Sequence, residues 1–132
     1  MAGSSRNLDI FIPGHFPGMN EFITENRRNP YSGNRMKRKN QDIIKQNLEV
    51  WKWKNKVRKL EPPVYISYTF HERNRRRDLD NISGFFHKVF QDALVDSGLL
   101  KDDGWRDIAG FRDNFIVADP CGVHIVIVSK KK

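Results

Sequence analysis

The residues best suited to chemistry lie in a span of 26, from Asp78 to Asp103. It opens Asp78-Leu79-Asp80-Asn81, directly after Arg75-Arg76-Arg77, and closes Leu100-Lys101-Asp102-Asp103. Asp78 and Asp80 are two apart, so on an extended chain both carboxylates point to one side and can share a cation. A hard ion such as Mg²⁺ takes oxygen ligands: one or two carboxylates, water, and the phosphate of a substrate. If the chain returns Asp103 to the place it left, three carboxylates converge on one or two ions. That arrangement activates a water and stabilises the leaving oxygen in phosphodiester cleavage. The three arginines beside the acids fit the same chemistry. A surface that only bound phosphate would not carry acids at that spot, whereas a metal site gains from both signs of charge. The bland alternative is a solvated turn of self-neutralising charges.

Lys88 belongs to the same span. Asn81, Gly84, Lys88 and Asp92 form one stripe at helical spacing, so Lys88 could lean toward a reacting phosphate and offset its developing charge. The competing expectation is an ordinary surface ion pair between Lys88 and Asp92. His15, His71, His87 and His124 have no paired metal-ligand spacing. Trp51 falls on an apolar helix face and reads as core rather than as a base-stacking residue.

Net charge is +8, from 24 Lys and Arg against 16 Asp and Glu. Residues 1–60 hold 13 of those cations and 5 of the acids, so the excess sits in the first half. That half is built to meet a polyanion, and nucleic acid suits it better than a membrane surface, because no basic helix has a clean apolar face. No run of 18 apolar residues is present, and the first residues lack a basic start followed by an apolar stretch, so neither a spanning segment nor a signal peptide is expected. The single cysteine, Cys121, can form neither an internal disulfide nor a metal cage alone, and a reducing cytoplasm is the expected setting.

The elements that must position these residues are read from periodicity. With 132 residues, 38% hydrophobic and 30% charged, the chain suits one compact domain spanning 1–132. Residues 1–7 read as a loose terminus and Leu8 to Ile12 as a first strand stopped by Pro13-Gly14. Residues 14–40, rich in Gly, Pro, Asn and basic side chains, read as a mobile basic loop that orders on DNA through Arg35, Lys37, Arg38 and Lys39. Gln41 to Lys59 carries Ile43, Ile44, Leu48 and Trp51 at helical spacing, ended by Pro62-Pro63. Val64 to Phe70 reads as a central strand. Asn81 to Asp96 steps its apolar residues by three and four, and Gly98 is its stop. Ile108 to Val117 and Val123 to Val128 read as two strands joined by a hairpin turn at Asp119-Pro120-Cys121-Gly122. The order β-α-β-α-β-β predicts an α+β fold, two helices packed on a small mixed sheet.

The same residues resemble the RusA family of Holliday-junction resolvases, small homodimeric endodeoxyribonucleases of bacteria and their phages. The likeness lies in Arg77-Asp78-Leu79-Asp80-Asn81, then a helix ending Asp92-Ala93-Leu94, then Gly98 and Asp102-Asp103. Near the start, Pro17-Gly18-Met19-Asn20 is similar to a looser opening motif of that family. The resemblance implies a homodimer that nicks branched DNA, a four-way junction above all, at symmetric positions with Mg²⁺ or Mn²⁺. It implies that Asp78, Asp80 and Asp103 are the metal-binding acids; Arg75, Arg76 and Arg77, from their place beside those acids, are expected to face DNA. The family's helix lysine follows the second acid by four residues, where this chain has Gly84. Counting back from Asp92-Ala93-Leu94 gives Lys88 instead, one helical turn later, so the resemblance implies that role for Lys88. A nuclease of other branched DNA and a noncatalytic nucleic-acid-binding module are the alternative expectations.

Overall fold

The computed structural model describes residues 7–129. The expectation of a loose start therefore lies, for residues 1–6, outside the described residues. The elements are β1 (Leu8–Pro13), α1 (Met19–Arg28), α2 (Pro30–Asn55), β2 (Val64–Glu72), α3 (Leu79–Asp96), β3 (Ile108–Val117) and β4 (Gly122–Ser129). They form one α+β domain, with three helices where two were expected.

The sheet has four strands in the order β1-β4-β2-β3. β4 runs antiparallel to both β1 and β2, while β2 and β3 are parallel, from Val64 opposite Ile108 to Glu72 opposite Val117. Parallel neighbours need a crossover, and α3 supplies it. The expected hairpin between β3 and β4 is not formed, because β2 lies between them. The 118–121 connection arches over the end of β2 instead, where the Ala118 amide donates to the Glu72 carbonyl at 3.0 Å. Strand period explains the choice: Val64, Ile66, Tyr68 and Phe70 are all buried, and only a central position covers such a row on one face and pairs it on both sides. Tyr65, Ser67, Thr69 and His71, on the other face, stay half-exposed.

Helices cover the Val64–Phe70 face. Phe85, Phe86, Val89, Phe90, Ala93 and Leu94 of α3 enter the core with Ile44, Leu48 and Trp51 of α2. Tyr68 stacks on Phe70 and meets Phe86 and Phe90 edge-on, and burial pushes its phenol far above the ordinary tyrosine range.

Residues 14–40 are not a loop. Their apparent breakers are helix signals: Asn29 caps α2 by accepting from the Tyr31 amide at 2.9 Å, and Pro30 occupies the first turn, where its missing N–H costs nothing. Gly33 lets α1 come close, since a Cβ there would sit 2.9 Å from the Asn26 Cα. The Ser32 hydroxyl donates to the Glu25 carboxylate across the same junction. α2 also stops short of Pro62-Pro63, ending where Lys56 takes a left-handed conformation at φ 56°.

Candidate functional site

After β2 the chain turns through residues 73–78 into α3, and this turn is fastened from inside. The Arg77 guanidinium donates to both Glu72 carboxylate oxygens, at 3.2 and 2.8 Å, and to the Phe16 carbonyl at 3.0 Å. Glu21 lies 3.7 Å away on the same guanidinium. One helical turn on, the Asn81 side-chain oxygen accepts from the Asn20 amide at 2.7 Å. Gly18 is required there, because a Cβ would stand 2.7 Å from that Asn81 oxygen. Glu21 closes the start of α1 by accepting from the Gly18 amide at 2.9 Å. The opening segment Phe16–Asn20 is thus clasped to the start of α3 by Arg77 and Asn81. Arg77, expected to face DNA, spends its fork on this clasp and is only 18% exposed. Its bidentate geometry suits a carboxylate partner held in place.

With Arg77 and Asn81 occupied, the two aspartates between them point to solvent. Asp78 is the N-cap residue of α3, yet its carboxylate makes no capping hydrogen bond. Asp80 lies in the first helical turn. Both are exposed, and among the described residues neither carboxylate has a hydrogen-bond or ion-pair partner. The positive end of the helix dipole favours anionic groups there without using up their oxygens.

Asp103 does not join them within one chain. α3 runs unbroken for 18 residues, about 27 Å at 1.5 Å per residue. The chain is then pinned at the far end of β2: the Leu60 amide bonds the Leu99 carbonyl at 2.9 Å, and the Val64 amide bonds the Asp107 carbonyl at 2.8 Å. The Asp107 carboxylate, nearly buried, accepts from the Asp102 amide at 2.9 Å and shapes the loop that carries Asp103. Asp78 and Asp80 follow the Glu72 end of β2, whereas Asp103 precedes the strand that pairs with its Val64 end. The expected return of the chain fails because Gly98, at φ +81°, turns it into the start of parallel β3 rather than back along α3. Among the described residues no three His, Cys, Asp or Glu gather in a metal-holding group.

Lys88 is exposed on α3, about 12 Å along the helix axis from Asp80. Asp92 is not its partner; that carboxylate pairs with Lys37 at 3.1 Å. At Gly84, where the resemblance puts a lysine, the Met19 side chain closes over the helix, 3.1 Å from where a Cβ would be. The neighbouring His87 holds Asp113 of β3 at 2.8 Å.

The other expected cations divide. Arg75 and Arg76 are exposed beside the acids, with the Arg76 amide bonded to the Asn74 side chain at 3.0 Å. Arg35, Arg38 and Lys39 share one exposed face of α2 and line a groove of about 870 Å³ with His15 and Pro17. Lys37 lies off this face, tied to Asp92. Pro17 precedes the Gly18 that packs on Asn81, so the basic stripe adjoins the clasp. One prominent residue escaped the sequence reading: Trp105, on the loop after Asp103, is 98% exposed. A tryptophan between Gly104 and Arg106, outside any apolar periodicity, was the available signal. No helix among the described residues is long and apolar enough to cross a membrane. No protein-family model matches the chain, and no curated protein matches it.

Proposed function

We propose that the protein is a divalent-metal-dependent endodeoxyribonuclease of the RusA kind, nicking branched DNA in recombination and repair. One observation carries the reading: among the described residues the exposed Asp78 and Asp80 carboxylates have no partner, while Arg77 and Asn81 on either side fasten that turn. Two exposed carboxylates at one helix start, on the N-cap residue and in the first turn, are donors of the type that Mg²⁺ or Mn²⁺ prefers, with water and phosphate completing the shell. When bound, such an ion supplies an activated water and charge stabilisation for the leaving oxygen. Arg75 and Arg76 would hold the flanking phosphates, and the Arg35, Arg38 and Lys39 stripe would carry an arm of the DNA. Lys88 would neutralise charge at the cut strand.

Asp103 cannot serve the same ion as Asp78 from within its own chain, so this reading makes the active form a homodimer, each site drawing Asp103 from the second copy. Two equivalent sites related by a two-fold axis suit the two symmetric strands of a four-way junction. The second reading is a noncatalytic DNA-binding module, favoured by the absence of a three-acid group within the described residues of one chain. The test is nicking of a labelled four-way junction, a fork and a linear duplex of one sequence with Mg²⁺. The nuclease reading expects cuts in the branched substrates that vanish with chelator. Retarded but uncut junction under all metals would leave the binding module.

A further inference from the structure

Trp51 and Trp53 are two residues apart on α2, about 200° around the helix from one another. Trp51 enters the core at 9% exposure, so Trp53 is carried outward and is 80% exposed. It lines an open groove of about 720 Å³ at the end of α2 with Lys54, Lys56 and Arg58. The turn beneath this groove is fixed from inside. Lys56 forms the left-handed cap of α2, the Val57 amide bonds back to the Lys52 carbonyl at 3.1 Å, and Val57 and Leu60 are buried. Lys54, Lys56, Arg58 and Lys59 are thereby held outside, exposed, with no side-chain partner among the described residues. Glu49, the acid on the groove wall, is engaged by Lys52 at 3.6 Å.

We infer that this groove is a second nucleic-acid surface, where an unpaired base of single-stranded DNA stacks on Trp53 and the flanking phosphates meet Lys54, Lys56, Arg58 and Lys59. Cations at a helix C-terminus serve the helix dipole, but that role gives no reason for an indole left in water beside them. A flat apolar ring among fixed cations matches a strand that alternates bases with phosphates, and every base offers a π-face. An acidic peptide brings the charge without the flat partner. An anionic membrane asks for a broader apolar face than Trp53 and the half-exposed Val50 supply. Position separates this surface from the Arg35, Arg38 and Lys39 stripe, since Trp53 lies about 22 Å along the helix axis from Arg38. The groove also borders the loop that carries Asp103, because the Lys52 ammonium donates to the Ser97 carbonyl and the Leu60 amide to the Leu99 carbonyl. The inference goes beyond the nuclease reading and holds whether or not the chain cuts DNA.

The test is fluorescence anisotropy of the full chain without divalent metal, so that no strand is cut. The probe is a labelled oligothymidylate of about twelve nucleotides, set against an abasic strand of the same length. The wild-type chain should bind the thymidylate about tenfold more tightly, the scale of one base stack. Trp53→Leu should abolish that preference with melting unchanged, because the side chain is exposed, while Trp53→Phe should keep most of it. Tyr31, 75% exposed at the other end of α2, is the control, and Tyr31→Ala should bind as the wild type does. Replacing Lys54, Lys56, Arg58 and Lys59 with alanine should lower the log–log salt slope for the strand by up to about three units, at roughly 0.7 per contact. Equal wild-type affinity for the two strands, or a Trp53→Leu protein that still prefers thymidylate, overturns the stacking site. An unchanged salt slope in the fourfold variant, or binding of phosphatidylserine vesicles in place of the strand, overturns the assignment to DNA.

Discussion

At the scale of single residues, the acidic motif divides its labour. Arg77 and Asn81 fasten the turn, and Asp78 and Asp80 are left to act. Arg77→Ala should therefore fail as a fold variant rather than as a DNA contact. It strands the Glu72 carboxylate, 13% exposed, and removes a donor from the Phe16 carbonyl, a loss of about 2 kcal/mol. Thermal melting should drop several degrees for Arg77→Ala and hold for Arg75→Ala, while a fall shared equally by both would deny the clasp. Lys88 invites the opposite experiment. Exposed and without a partner among the described residues, it contributes little to folding, so Lys88→Ala should leave melting unchanged and slow single-turnover nicking about a hundredfold, the scale of one lost transition-state donor. Asp92→Ala breaks only the half-exposed pair with Lys37 and should cost about 0.5 kcal/mol or less, with nicking intact. Equal rates in the two variants would take Lys88 out of the site.

Among the elements, α2 changes most between sequence and structure, and it changes what the basic residues can do. On a mobile loop all four cations of 35–39 could reach DNA; on a helix only Arg35, Arg38 and Lys39 face the same way. Replacing those three with alanine should flatten the salt dependence of junction binding by up to about three units of log–log slope, at roughly 0.9 per phosphate contact. Lys37→Ala alone should leave the slope unchanged. A triple variant with the wild-type slope would move the DNA elsewhere. The rest of the element plan was legible because burial imposes period: the three-and-four steps of α3 and the alternation of β2 are both observed. Asn29, Pro30 and Gly33 misled because the same residue types mark turns and helix starts, and only the packing of α1 on α2 decides between them. The missing β3–β4 hairpin has a similar cause, since pairing partners are set by which strand can be buried on both sides, a property of the whole sheet.

For the whole molecule, the geometry of the acids is decisive. Asp78 and Asp80 were expected to share one side of an extended chain, whereas α3 begins at Leu79, so Asp78 keeps extended backbone and Asp80 sits in the first helical turn. The place of Asp103 was not legible, because it depends on α3 running its full length and on Leu99 and Asp107 pinning the next loop to the start of β2. The proposal that sites are completed between subunits leads to one direct measurement. Asp80→Asn and Asp103→Asn proteins should each be inactive alone while still binding junction DNA. Co-expressed in equal amounts, they should form mixed dimers in about half of cases, each with one site wholly intact and one doubly damaged. Nicking by the mixture should return to roughly a quarter of the wild-type rate per chain under Mg²⁺, with one strand cut per mixed dimer. A mixture as inactive as its two parents would contradict a site shared between subunits, and full nicking by either parent alone would contradict the carboxylate site itself.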